Sequence, residues 1–169
     1  MNRTETNRSE LSEFNRNRTP QVFFVTELVR GGDLLAYVRR RRWLPAPAAR
    51  GIFGQLLEAV DYLHRSGIYH RDLKCENVLL DDEGPADSAA AAAPRVRLTD
   101  FGFAREWFEA HRLCRTYCGS AAYASPEILQ GLPYEPSTAD VWSLGVVLFI
   151  MVRSLGPAGP ARWFAPPKM

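Results

Sequence analysis

Cysteine is scarce: Cys75, Cys114 and Cys118 are the only three in 169 residues, and no two of them form a CxxC pair. Such an odd, unpaired set supports neither a disulfide framework nor a zinc site, and it points to a reducing, cytoplasmic compartment. Charge of one sign is scarce too, since 21 Lys and Arg meet 19 Asp and Glu for a net charge of +2. That balance gives no electrostatic reason to expect nucleic acid or a membrane surface as partner. No apolar run approaches the roughly 20 residues that a spanning helix needs. The longest, Val141 to Val152, contains Trp142, Ser143 and Gly145 and reads as a buried helix. The first 20 positions hold only Met1, Leu11 and Phe14 as apolar residues, so a secretory leader is not expected and residues 1–20 read as a flexible polar tail. No internal repeat is visible.

What is present is a 46% hydrophobic content, enough for the core of one ordinary domain. Gln21 to Leu28, QVFFVTEL, has the β-branched and aromatic content of a buried strand, and Gly31-Gly32 stops it. Asp33 can cap a short helix, DLLAYVRRRR. From Pro47, apolar residues at Ile52, Phe53, Leu56, Leu57, Val60 and Leu63, with His64, follow the spacing of one helical face, and Gly67 ends it. Asn77 to Leu80 and RVRLTDFG read as two short strands. Between them lies an insert, residues 82–95, with five consecutive alanines fenced by Gly84, Pro85 and Pro94. It is expected to be a solvated hairpin loop. Residues 154–169 carry four prolines and two glycines, which end any helical pattern and suggest an irregular tail.

The chemistry sits in three motifs: HRDLKCEN at His70 to Asn77, DFG at Asp100 to Gly102 and SPE at Ser125 to Glu127. DFG alone would be an ordinary turn, but the three in this order resemble the signature set of protein kinases. Phosphoryl transfer passes through a loose transition state, so a protein must align a hydroxyl and neutralise spread-out charge rather than offer a covalent nucleophile. Carboxylates, amides and a lysine suit that work. The resemblance implies that Asp72 accepts the proton of a substrate hydroxyl and Lys74 steadies the transferred phosphate. It gives Asn77 and Asp100 the magnesium ions, and hard oxygen ligands fit that metal. Lys74, two residues after Asp72, follows the serine/threonine kinase pattern, and Ser120 in CGSAAY lies where such kinases bond the catalytic aspartate and lysine. His70 and Phe101 are expected to pack, His64 to face the core and His111 to face solvent.

The segment between DFG and SPE resembles an activation segment. Thr116 would be the phosphorylated position, set by an upstream kinase and held by Arg71, against the plain alternative of an ordinary exposed threonine. VFFVTELVRGGD resembles the hinge region: Thr26 as the residue that gates the adenine pocket, Glu27 and Val29 offering backbone groups to adenine, Asp33 reaching the ribose and Leu79 lying under the base. Asp72 and Asp100 stand 28 positions apart, farther than the family pattern, and the alanine-rich insert accounts for the excess. Loop length of this kind costs little free energy.

The pieces KCENVLLD, LTDFGFAREW, TYCGSAAYASPEILQGLPYEP and DVWSLGVVLFIMV are similar to the testis-specific serine/threonine kinases, with Ser125 and Ala121 standing where most kinases have alanine and proline. The resemblance implies an α+β, two-lobed kinase fold over residues 21–153, ATP and magnesium as cofactors, protein serine or threonine as substrate, and a role in male germ cells. The sequence has no GxGxxG loop before Gln21 and no VAIK-type lysine, so most of the small lobe and the last large-lobe helices are expected to be absent. Losing one preorganised donor can cost ~100 to 1,000 in rate, so stand-alone turnover is expected to be weak. In the family the glutamate at position 127 pairs with an arginine far downstream, so Glu127 is expected to be unpaired. Asp140 is expected to begin a central helix that is apolar nearly all round and lacks cover. A non-catalytic module that binds a kinase partner or substrate is the second reading.

Overall fold

The computed structural model describes residue 23 and residues 25–81, 93–107 and 113–153. The expected tails at 1–20 and 154–169, most of the insert and His111 lie outside these residues. The described elements are helices α1 (Leu34–Arg41), α2 (Ala46–Arg65), α3 (Pro126–Leu129) and α4 (Pro136–Val152), and short strands β1 (Ile68–Tyr69), β2 (Val78–Leu80), β3 (Val96–Leu98) and β4 (Arg105–Glu106). The mixture is α+β, with little sheet.

Asp33 starts α1 by accepting the Ala36 N–H at 2.8 Å, and Arg42, with φ +66°, turns the chain out of it. In α2 the spacing of Ile52, Leu56 and Val60 puts all three on one buried face, whereas Leu57 is exposed. Gly67 leaves the helix with φ +71°, a conformation that a side chain disfavours. The α2 face meets α1, β2 and the inner side of α4 in one core that includes Leu34, Val38, Leu73, Val78, Val147 and Ile150. Full burial of such a side chain is worth about 1.5–3 kcal/mol, so this layer fixes where the intervening loops must run.

Two antiparallel pairs carry those loops. β2 pairs with β3 in the register Val78↔Leu98 and Leu80↔Val96, and β1 pairs with β4 through Ile68↔Glu106. The first pair is the hairpin that the insert interrupts. Its returning end is not solvated as expected: a side-chain atom at Gly51 of α2 would collide with the Ala93 methyl, and Gln55 donates to the Pro94 carbonyl at 2.9 Å while accepting from the Val96 N–H. The helix thus stitches the start of β3 in place.

Two further expectations are corrected. The segment within Gln21 to Leu28 is not a buried strand where it is described: Phe23 is 80% and Val25 95% exposed, and neither lies in a strand. Strand propensity needs a neighbouring strand to become a strand, and none among the described residues pairs with it. Helix α4 begins at Pro136 rather than Asp140. Proline suits a first turn, where its missing N–H has no partner to lose, and Glu135 ahead of it accepts from Ser137 and Thr138 side chains.

Candidate active site

The loop after β1 carries Asp72, Lys74 and Asn77, and its backbone is held from an unexpected direction. Asp140, 1% exposed on α4, accepts the His70 N–H at 3.0 Å and the Arg71 N–H at 2.8 Å, and its Oδ2 lies 2.9 Å from His64 Nε2. One carboxylate therefore fixes two successive amides just before Asp72. His64 does not merely face the core: it is half-buried and bridges α2 to this anchor. The sequence signal for Asp140 was a lone acid at the head of an apolar helix. Arg71 adopts φ +64°, a left-handed conformation that a non-glycine residue keeps only when its surroundings hold it.

Below that turn the buried Asp72 carboxylate is the centre of a network. Its Oδ1 accepts the Ser120 N–H at 2.9 Å; its Oδ2 accepts Lys74 Nζ at 2.7 Å and Asn77 Nδ2 at 3.3 Å. Lys74 Nζ also donates to Ser120 Oγ at 3.1 Å. A carboxylate has about four acceptor positions, so one remains open here. Gly119 allows the close approach: it has φ +88°, and a Cβ there would stand 2.6 Å from the Arg71 carbonyl oxygen. The structure thus brings Asp72, Lys74, Asn77 and Ser120 together, although Ser120 is distant in sequence.

Asp100 lies on the other side of the hairpin. The Thr99 N–H donates to the Asn77 carbonyl at 3.0 Å, which sets Asp100 one residue beyond the β2–β3 pairing. Asp100 has φ +61° and accepts the Gly102 N–H at 3.3 Å, leaving its exposed carboxylate otherwise open. Because the Asn77 amide nitrogen donates to Asp72, its Oδ1 is left as an acceptor. A neutral amide oxygen and a carboxylate fit magnesium, which takes one or two carboxylates and completes its shell with water and phosphate oxygens. Among the described residues no cluster of three or more His, Cys, Asp or Glu could hold a metal by itself.

A cleft of about 760 Å³ opens beside Asp100, lined by Thr26, Glu27, Val29 and Leu79 on the way to Phe101. The Glu27 side chain pairs with Arg97 at 3.0 Å, and the Leu79 side chain is half-buried on the cleft floor. Asp33 does not line this cleft; one of its oxygens caps α1. His70 is fully buried, packs against Phe101 with the rings tilted at 53° and 4.9 Å between centroids, and meets the Thr99 carbonyl at 3.1 Å.

The segment after DFG is pinned at Cys114, which exchanges backbone hydrogen bonds with Tyr134 at 2.7 and 2.9 Å. The Tyr134 hydroxyl donates to the Thr116 carbonyl at 3.0 Å, while the Thr116 residue itself stays exposed. Arg71 Nε donates to the Phe103 carbonyl at 2.8 Å, and its buried Nη1 has no partner among the described residues. Burial pushes the Cys114 thiol up, with the Arg71 guanidinium opposing. Tyr123 donates to Glu76 at 2.9 Å and accepts the Cys75 N–H; sequence reasoning missed this tie between the catalytic loop and the end of the segment.

A buried carboxylate bonded to a lysine, an amide oxygen left as an acceptor and an open carboxylate beside a cleft are the polar groups that this part of the fold presents. The chain belongs to the protein kinase domain family, whose description matches residues 8–159. Among individual proteins it is 44% identical over 133 residues to testis-specific serine/threonine-protein kinase 3 of Homo sapiens, covering 78% of this chain and 46% of that protein. It is 45% identical over 136 residues to testis-specific serine/threonine-protein kinase 2 of Mus musculus, covering 78% and 35% respectively. A plant relative, CBL-interacting serine/threonine-protein kinase 13 of Arabidopsis thaliana, is 41% identical over 139 residues, covering 81% and 26%. The chain spans less than half the length of these curated relatives.

Proposed function

We propose that this chain carries the catalytic half of an ATP-dependent serine/threonine protein kinase. The observation that supports it best is the Asp72–Lys74–Ser120–Asn77 network, which leaves one acceptor position of a buried carboxylate open toward a substrate hydroxyl. Asp72 takes the proton as the protein Ser or Thr oxygen attacks the terminal phosphorus of ATP, while the bond from that phosphorus to the bridging oxygen breaks and ADP leaves. Lys74 holds a phosphoryl oxygen while it donates to the Asp72 carboxylate. Asn77 Oδ1 and the Asp100 carboxylate would hold magnesium, which supplies positive charge against the phosphates when bound. Adenine would occupy the cleft at the Glu27 and Val29 backbone, above Leu79.

Thr116 is the proposed phosphorylation site for an upstream kinase. It is exposed, and the orphaned Arg71 Nη1 is a buried cation position that a phosphate would satisfy. The three buried free cysteines suit a cytoplasmic location, and the names of the mammalian relatives suggest the male germ line. No helix among the described residues is long and apolar enough to cross a membrane.

Magnesium-ATP at about 100 times its Kd should stabilise the chain by about 2.7 kcal/mol, read as a melting shift of several degrees. Transfer of labelled phosphate to a generic protein should fall ~100- to 10,000-fold in Asp72→Asn. One observation favours the second reading, a binding module: Val25 and Leu28, next in sequence to cleft-lining residues, are exposed and outside any strand. No melting shift and no transfer would select that reading.

A further inference from the structure

The register of β2 against β3 decides where Asp100 stands relative to Asn77, and little within the hairpin dictates it. Register is ordinarily imposed by a tight turn of about two to five residues, whereas here the connection runs from Asp82 to Pro94. Each strand is only three residues long, and backbone bonds re-form after a slip that keeps the same alternation. A one-residue slip is opposed by Arg97, which lines the cleft and would turn toward the core. A two-residue slip preserves the pattern in which Val96 and Leu98 pack against the core, and it would carry Asp100 about 7 Å along the strand.

Two contacts from α2 discriminate against that slip. Gln55 meets the start of β3 as a neighbouring strand would: its Nε2 donates to the Pro94 carbonyl at 2.9 Å and its Oε1 accepts the Val96 N–H at 3.1 Å. A further bond from Nε2 to the Gly51 carbonyl, at 3.1 Å, ties the amide to its own helix. One turn earlier Ala93 rests against Gly51, where a side chain would collide with it. If β3 slipped so that Pro94 took the place of Val96, Gln55 Oε1 would face a residue with no N–H. In the opposite slip Arg95, which is exposed, would bring a long charged side chain to the place where the Ala93 methyl meets Gly51. The helix that makes these contacts is itself held by the buried Ile52, Leu56 and Val60, so its side of the comparison does not move.

We propose that Gln55, with Gly51 beside it, is a positioning residue that sets the β2–β3 register and through it the placement of Asp100 relative to Asn77. It does the work that a tight turn does in a short hairpin. Its consequence for magnesium rests on the phosphotransfer reading of the site; its hold on the register does not.

The test compares the natural full chain with Gln55→Leu. Nuclear Overhauser contacts between α-protons report the register directly, because Val78–Leu98 and Leu80–Val96 are the closely spaced pairs that do not exchange backbone hydrogen bonds. The natural chain should show both contacts. Gln55→Leu should weaken them and add Leu80–Leu98 or Val78–Val96, the marks of a two-residue slip. In the same variant the magnesium concentration that gives half of the ATP-dependent melting shift should rise about tenfold. Natural contacts, or a natural magnesium midpoint, in a variant that has only lost urea stability would show that Gln55 adds stability alone and would overturn the proposal. If the natural chain shows no melting shift with magnesium-ATP, the phosphotransfer reading fails, and the α-proton contacts still decide the register. If Gln55→Leu does not fold, Gln55→Glu takes its place, since it keeps the acceptor for Val96 and loses the donor to Pro94. Unchanged α-proton contacts in that variant would sink the idea.

Discussion

Ser125 shows what a single atom does here. The residue is 1% exposed and its hydroxyl has no hydrogen-bond partner among the described residues. Burying an unsatisfied polar group costs about 1–3 kcal/mol, so Ser125→Ala should stabilise the fold by about 1 kcal/mol. A urea midpoint that rises at unchanged slope would show it; a fall would mean that the hydroxyl has a partner in solution. At this scale the sequence was most informative where functional residues are neighbours. Asp72, Lys74 and Asn77 share one eight-residue motif, and their side chains meet. Asp140 was opaque because the amides it holds lie 69 and 70 positions earlier, and periodicity marks a helix without marking which loop its one buried acid will face.

At the level of elements, the loop that carries Asp72 is shaped by its neighbours more than by its own residues. Asp140→Ala removes the acceptor from two amides and from His64 at once. The expected loss is about 3–5 kcal/mol, as for breaking a buried charged contact. Hydrogen exchange at the His70 and Arg71 amides should accelerate most, and uniform acceleration across α2 would instead indicate simple loss of core stability. The helices α1 and α2 were legible from capping and spacing, and β2 and β3 from composition. The segment before Gly31 misled because its apolar content is identical whether or not a sheet is there to receive it. The start of α4 was hidden behind Pro-Ser-Thr, residues that usually read as loop but here serve a first turn capped at Glu135.

For the molecule as a whole, alkaline pH is the lever that the buried groups expose. Burial pushes the Cys75 thiol from 9.0 up to about 12 and the Tyr134 hydroxyl from 10.0 up to about 12, and it raises Tyr123 further. These groups keep their protons in the folded state longer than in the unfolded one. Their contribution is therefore fully present below about pH 9 and is lost as pH rises toward 12, with a slope of about 1.4 kcal/mol per pH unit for each group in its window. Urea unfolding at pH 8.5, 9.5 and 10.5 should show falling stability, and Cys75→Ala should flatten the first part of that decline. A flat profile in the natural chain would mean that these side chains reach solvent.

The bond from Asp140 to the amides of His70 and Arg71 also sets a clock. A ribosome adding about 5–20 residues per second needs roughly 3 to 14 s to go from the catalytic loop to the helix that anchors it. During that interval the amides of His70 and Arg71 lack the carboxylate that holds them in the folded chain. The nascent chain therefore acquires α1 and α2 well before it acquires a fully anchored catalytic loop, and a pause in translation between these positions prolongs the interval in which the His70 and Arg71 amides are unheld.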